Sequence, residues 1–225
     1  MKRMIKGFIF DLDGLMVDSE ALALIAWQQA LQPYELSLRD DQLTKLIGMG
    51  ENEAVAYTNQ QLGVQLPAKE VKTQFMENIW AQLEGGIAPL PGLEALLGAL
   101  RQRNLLLGVA SNSPRSYVHK MLDMLAVSGF FQHVVTLEEV SQPKPSPESY
   151  LTCADLLGLT PGECWAVEDS PPGVRAALAA GMACAFIPNP YLNPEDIRDL
   201  DQPGMREFPS LEALRHSLDD ILDHR

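Results

Sequence analysis

The 225-residue sequence predicts an α/β protein, a parallel sheet with helices on both faces, interrupted near its start by an all-helical insertion. Two observations carry that prediction. Short apolar segments alternate with helical patterns through the second half of the chain. From about residue 19 to residue 85, by contrast, strand signals are absent while helical spacing continues.

The run Ile5-Lys6-Gly7-Phe8-Ile9-Phe10 reads as a short buried strand. Leu22, Ile25, Ala26, Gln29 and Ala30 then open the helical series. Leu43, Leu46 and Ile47, then Ala54, Val55 and Leu62, then Val71, Phe75, Ile79 and Leu83 continue it, with breaks at Pro33, residues 48–50, Gly63 and Gly85-Gly86. Pro89-Leu90-Pro91-Gly92 re-enters the main unit and starts a helix through Leu100. Residues 105–110, 133–136, 164–167 and 183–187 are short and apolar, as buried strands are. Between them, residues 115–125, 147–157 and 173–180 carry helical spacing or Ala-rich composition. Pro114 and Pro147 fall at helix starts, and Gly158 and Gly181 follow helix ends. The five-proline stretch from Pro188 to Pro209 reads as a surface excursion before a last helix from Ser210 to about Leu222. The chain thus divides into a core, 1–18 with 86–225, and a helical unit, 19–85.

Composition narrows the class. With 46% hydrophobic and 21% charged residues, the chain is an ordinary globular sequence. No long uncharged apolar run suggests a membrane helix, and the basic start lacks a signal-peptide pattern. A formal net charge of -13 argues against a nucleic-acid partner, which requires clustered Lys and Arg. An anionic substrate must then be drawn in locally, by a metal ion or particular cations. Cys153, Cys164 and Cys184 are odd in number and lack CxxC spacing, so they read as reduced, packed thiols of a cytoplasmic protein.

The residues that promise chemistry follow the strands. Asp11-Leu12-Asp13-Gly14 comes directly after the first, placing two carboxylates at one strand end, with a glycine to turn the chain away. Close carboxylates stay ionised only beside a cation. Asp18 or Ser19 has a plainer use as a helix cap. Ser111-Asn112-Ser113 ends the second strand with hydroxyl, amide and N–H groups at a helix start, a place for an anion or for simple caps. Lys144 sits between Pro143 and Pro145 after the third strand. Glu168-Asp169-Ser170 ends the fourth, before Pro171-Pro172-Gly173. Parallel sheets bind ligands beyond the carboxyl ends of their strands, so four such clusters converge on one crevice. Carboxylates, a cation and an anion cradle together fit a phosphate held with a hard, oxygen-loving ion such as Mg2+.

Asp11-Leu12-Asp13-Gly14, Ser111-Asn112, Lys144-Pro145 and Glu168-Asp169-Ser170 are, in that order, the motifs of the haloacid dehalogenase superfamily. The chain resembles its helical-capped phosphatase and β-phosphoglucomutase-like branch along nearly its whole length. The resemblance implies a Rossmann-like core with residues 19–85 as a cap domain, an arrangement that lets such proteins work as monomers. It implies Asp11 as nucleophile, forming an aspartyl-phosphate, and Asp13 as the acid and then the base. Mg2+ would be held by Asp11, Asp169, the Asp13 carbonyl and Glu168, the last directly or through water. Ser111, Asn112 and Lys144 would bind the phosphoryl oxygens.

Asp13 selects among the reactions. Superfamily dehalogenases lack this second Asp and transport ATPases place Thr there, so its presence favours hydrolysis or transfer of a phosphate monoester. Leu15 departs from the Thr frequent after the motif, with little expected consequence. The related sugar mutases carry a His where this chain has Ala23, and an Arg after the glycine corresponding to Gly48, where Met49-Gly50-Glu51-Asn52 stands instead. A phosphatase of a small phosphorylated metabolite, a sugar phosphate or a phosphoglycolate-like acid, is therefore the expectation. A sugar phosphomutase and a non-catalytic phosphate binder are the alternatives. Ala23, Met49, Glu51, Asn52 and Tyr57 are the candidate substrate-selecting residues.

Overall fold

The computed structural model describes residues 4–47, 49–192, 197, 200 and 202–223. The chain forms two compact units, one of Met1–Val17 with Ala88–Arg225, the other Asp18–Ile87.

The first unit is built on a six-stranded parallel sheet. Its strands are β1 (Gly7–Phe10), β2 (Leu106–Ala110), β3 (His133–Val135), β4 (Cys164–Glu168), β5 (Ala183–Phe186) and β6 (Met205–Glu207), in the order β3-β2-β1-β4-β5-β6. Strand order reverses about β1. Chain segments leaving β1, β2 and β4 at their carboxyl ends therefore open into a crevice at the switch point. Every residue of β1 is buried, the continuous apolar run that a strand covered on both faces requires.

The second unit is helical, with α1 (Ser19–Leu31), α2 (Asp40–Leu43), α3 (Glu51–Leu62) and α4 (Ala68–Glu84). Asp18 accepts a 3.1 Å bond from the Ala21 N–H, so the plain capping role holds for this aspartate. Trp27, Leu31, Val55 and Val71 centre the unit's core. The buried Trp27 indole N–H is satisfied by Thr58 Oγ1 at 3.1 Å.

The sheet's helices are α5 (Leu93–Gln102), α6 (Arg115–Met124), α7 (Glu148–Leu156), α8 (Pro171–Ala179), α9 (Leu211–His216) and α10 (Leu218–Asp223). One buried cluster joins Ile9, Ala110, Ala166 and Cys184 of the strands to Tyr150, Cys153, Val174 and Ala177 of α7 and α8. All three cysteines are free and buried, and burial pushes the Cys153 thiol up to about 12 and the Cys164 thiol up to about 11.

Two expectations need correction. The five-proline stretch is not simply a surface excursion: Asn189, Leu200 and Phe208 are buried, and β6 extends the sheet beside β5. Prolines bound that strand without entering it, which is why they hid it. The last helix is also two, because the chain breaks at Ser217 between α9 and α10.

Candidate active site

Lys144 is the hub. Its ammonium group donates to Asp11 Oδ1 at 2.5 Å, to Glu168 Oε1 at 2.6 Å and to the Ala110 carbonyl at 2.7 Å. The three partners come from the ends of β1, β4 and β2, the convergence that the strand order makes available. The Lys144 side chain is 4% exposed, so this charge can exist only because two carboxylates face it. Burial alone would lower its pKa, but Asp11 and Glu168 together raise it above the ordinary lysine value.

Asn112 positions this lysine through its backbone. Its carboxamide accepts from the Lys144 N–H at 2.9 Å and donates to the Lys144 carbonyl at 3.2 Å. The side chain that sequence reasoning assigned to phosphoryl oxygens is thus engaged in docking the Lys144 loop onto the end of β2. Ser111, 1% exposed, accepts the Ser113 N–H at its Oγ at 3.1 Å, which leaves the hydroxyl proton to be donated elsewhere.

Glu168 is wholly buried and surrounded by donors. Oε1 takes the Lys144 bond and a 2.6 Å bond from the Tyr150 hydroxyl, while Oε2 takes 3.2 Å bonds from the Asp169 N–H and from Ser170 Oγ. Gly173 makes room for this carboxylate. A Cβ at that position would lie 1.9 Å from Oε1 and 2.1 Å from Oε2, so the glycine in the first turn of α8 is a steric requirement.

Asp169 is held by Asn189, whose Nδ2 donates to Oδ2 at 3.1 Å, and whose own backbone N–H donates to the Asp169 carbonyl at 3.2 Å. Gly14 passes directly beneath that carboxylate with φ +76°, and a Cβ there would lie 2.0 Å from Asp169 Oδ2. Asp11, Glu168 and Asp169 each bring a carboxylate oxygen within 4.8 Å of the others. Burial pushes Asp11 up to about 7 against the pull of Lys144, with Glu168 and Asp13 adding to the rise. Burial raises Asp169 as well, followed by the charges of Asp11 and Glu168. With all three ionised, these buried carboxylates against one lysine would leave negative charge in excess, and hard oxygen donors at this spacing suit Mg2+.

Asp13 stands apart from that cluster's bonds. Its carboxylate accepts from Ser113 Oγ at 2.6 Å and from the Tyr117 hydroxyl at 2.8 Å. Of these site residues, sequence reasoning did not anticipate Tyr117, Tyr150, Gly173 or Asn189 as participants. Each lies within or beside an ordinary structural signal, a helix or a proline-rich loop, and only the fold turns it toward a carboxylate. Phase was the one available clue: Tyr150 lies six residues after Lys144, on the buried face of α7.

Ala23, Met49, Glu51, Asn52 and Tyr57 belong to the helical unit. Glu51 is exposed in the first turn of α3, and Asn52 accepts a 2.9 Å bond from Lys72. Ala23 is half-buried on α1, and Met49 and Tyr57 pack against that unit's core.

Residues 8–187 match the family model described as haloacid dehalogenase-like hydrolase. Hexitol phosphatase A of Escherichia coli is 32% identical over 221 residues, covering 96% of this chain and 93% of that protein. Phosphoglycolate phosphatase of the same species is 28% identical over 240 residues, covering 97% and 91%. Among solved structures, a hydrolase from Deinococcus radiodurans with bound phosphate and sodium superposes with a TM-score of 0.79 at 27% identity, covering 96% of each chain. No described helix is long and apolar enough to cross a membrane.

Proposed function

The chain belongs to the haloacid dehalogenase-like hydrolase family, and from that premise we propose that it is a Mg2+-dependent phosphatase of small phosphorylated metabolites. The observation that carries the reading is the buried bond between Lys144 and Asp11 within a set of three carboxylates. A lysine and an aspartate so placed can meet a phosphoryl group from two sides, the first neutralising its oxygens and the second attacking phosphorus.

Asp11 is the nucleophile, and its attack forms an aspartyl-phosphate as the bond to the leaving oxygen breaks. Asp13 gives its proton to that oxygen, then accepts one from the water that releases phosphate. Ser111 and Lys144 bind the phosphoryl oxygens. Asn112 contributes by fixing the Lys144 loop through its carboxamide.

Mg2+, when bound, neutralises the phosphoryl charge and keeps Asp11 ionised at neutral pH. Asp11 and Asp169 are the ligands the donor set favours, with the Asp13 carbonyl as the resemblance implies. Glu168 already receives four protein donors, which supports a place one water removed and a main duty as the anchor of Lys144. Sugar phosphates and phosphoglycolate-like acids lead the substrate classes, the former because a hexitol phosphatase matches nearly end to end. Residues 19–85 are the cap, with Ala23, Met49, Glu51, Asn52 and Tyr57 selecting the substrate, and the enzyme acts as a monomer.

The test is phosphate release across a panel of sugar phosphates, polyol phosphates and phosphoglycolate. Release that needs Mg2+, stops with a chelator and is absent in Asp11→Asn is the expected result. Ligand-induced stabilisation without release would overturn the reading in favour of a binding protein. Conversion of a hexose 1-phosphate to its isomer, given bisphosphate, would overturn it in favour of a mutase.

A further inference from the structure

We infer that Ser113 and Tyr117 are positioning residues that aim the Asp13 carboxyl group, and that their hydroxyls set how well the enzyme expels a poor leaving alcohol. This rests on the assignment of Asp13 as acid and base made above.

The contacts are specific. Ser113 Oγ donates to Asp13 Oδ2 at 2.6 Å and the Tyr117 hydroxyl donates to Asp13 Oδ1 at 2.8 Å. One donor on each oxygen fixes the rotation of the carboxylate plane, which a single bond would leave free. The backbone below is fixed independently, because the Gly14 N–H donates to the Val17 carbonyl at 2.9 Å and Asp13 bridges to Val17. Side-chain torsions are then the freedom that remains at Asp13, and the two hydroxyls remove it.

Ser113 is also free of its commonplace duty. The N-cap position of α6 falls on Pro114, whose ring offers no capping oxygen, and the Arg115 N–H goes to Glu138 Oε2 at 2.9 Å, so the Ser113 hydroxyl is left for Asp13. Tyr117 stands in the first turn of α6 and Ser113 two residues before the helix starts, so both donors come from one short stretch of chain.

The chemistry follows from what Asp13 must do. In the first step, Asp11 bonds to phosphorus, the phosphorus–oxygen bond to the leaving group breaks, and the Asp13 proton goes to that oxygen. Asp13 is left as a carboxylate, the form to which two O–H donors bind best. Negative charge thus appears on Asp13 during the step, under donors already aimed at it. In the second step, water attacks phosphorus, its proton passes to Asp13, and the bond to Asp11 breaks. Hydroxyls both donate and accept, so both residues remain engaged in either protonation state.

The test separates leaving groups through kcat/KM, which reports the reaction through loss of the alcohol. A hexitol phosphate needs its alkoxide protonated, whereas p-nitrophenolate leaves unaided. Tyr117→Phe and Ser113→Ala should each lower kcat/KM about tenfold on the hexitol phosphate, a fraction of the roughly 10²–10⁴-fold that acid–base help supplies. They should lower it by less than about threefold on p-nitrophenyl phosphate. Ser113→Thr, which keeps the hydroxyl, should restore the lost activity. Asp13→Asn should show the same split in stronger form, and Asp11→Asn should abolish turnover of both. Equal loss on both substrates, or none, in the Ser113 and Tyr117 variants would overturn the inference. Activity persisting in Asp11→Asn would instead overturn the phosphatase reading on which it stands.

Discussion

Lys144 Nζ lies 2.5 Å from Asp11 Oδ1, although 133 residues separate the two in sequence. The distance is bridged by sheet topology: β1 brings Asp11 to the centre, and the loop after β3 swings back across β2 on the Asn112 side chain. Glu168, from the other side of β1, completes the charge balance at 2.6 Å. The same contact that orders the site also makes its charge costly to disturb.

Lys144→Met therefore has two expected outcomes. Removing the cation leaves Asp11 and Glu168 buried without compensation, which costs about 3 kcal/mol of stability. Loss of its charge from the phosphoryl group lowers kcat by about 10²–10³. Chemical denaturation and steady-state kinetics read the two separately. A variant as stable as the parent would mean that the buried charge cluster is already balanced without the lysine.

Gly14→Ala and Gly173→Ala test the steric floor of the site. The added Cβ would press on Asp169 in the first case and on both oxygens of Glu168 in the second. Gly14 adds the cost of a left-handed φ of +76°. Overpacking of this kind costs about 3 kcal/mol, so melting temperature and turnover should fall together in each variant. Full activity in Gly173→Ala would show that Glu168 can relocate without loss.

Without a divalent ion, stability should fall as pH rises toward neutrality. Asp11, at about 7 against 3.8 ordinarily, and Asp169, also raised, hold protons in the folded state that the unfolded chain has released. Folding then takes up protons between about pH 4 and 7, and stability is lost as pH climbs through that window. Lys144, raised above its ordinary value of 10.5, keeps its contribution throughout. Glu139 and Glu163 are lowered, so their contributions decline only at acidic pH, in the opposite direction. Melting temperature measured from pH 5.5 to 7.5 should thus fall in chelator and stay nearly level in Mg2+. Parallel curves in the two conditions would defeat the expectation.

The acidic and basic residues of the centre were legible in the sequence because each follows a short apolar strand, and strand ends of a parallel sheet share one crevice. The Rossmann-like order of alternating elements was equally plain. What stayed hidden depends on side-chain phase. Tyr150 looks like one more packing residue of α7 until its hydroxyl is found 2.6 Å from Glu168. Asn112, read as an anion ligand, turns its carboxamide to the Lys144 backbone, a contact across 32 residues that local pattern cannot show. Strand β6 lay between prolines, and its mixed sequence Met205-Arg206-Glu207 lacks the apolar run of an interior strand because it stands at the sheet edge.

Asn189 offers the sharpest test of the metal reading, because nothing about it suggests a role except its place. It is 7% exposed, donates to Asp169 Oδ2 at 3.1 Å and accepts the Tyr191 N–H at 3.1 Å. A carboxylate oriented by a buried amide is the usual outer support of a metal ligand, and loss of such support costs about 10–100-fold in metal affinity. Asn189→Ala should therefore raise the Mg2+ concentration needed for half-maximal activity by about tenfold or more. At saturating Mg2+, kcat should recover most of its parent value, since the nucleophile, the acid and Lys144 are untouched. A merely structural role would lower activity at every Mg2+ concentration alike. That uniform loss would exclude Asn189 from the metal's outer shell, and with it the argument that Asp169 is held in place to receive the ion.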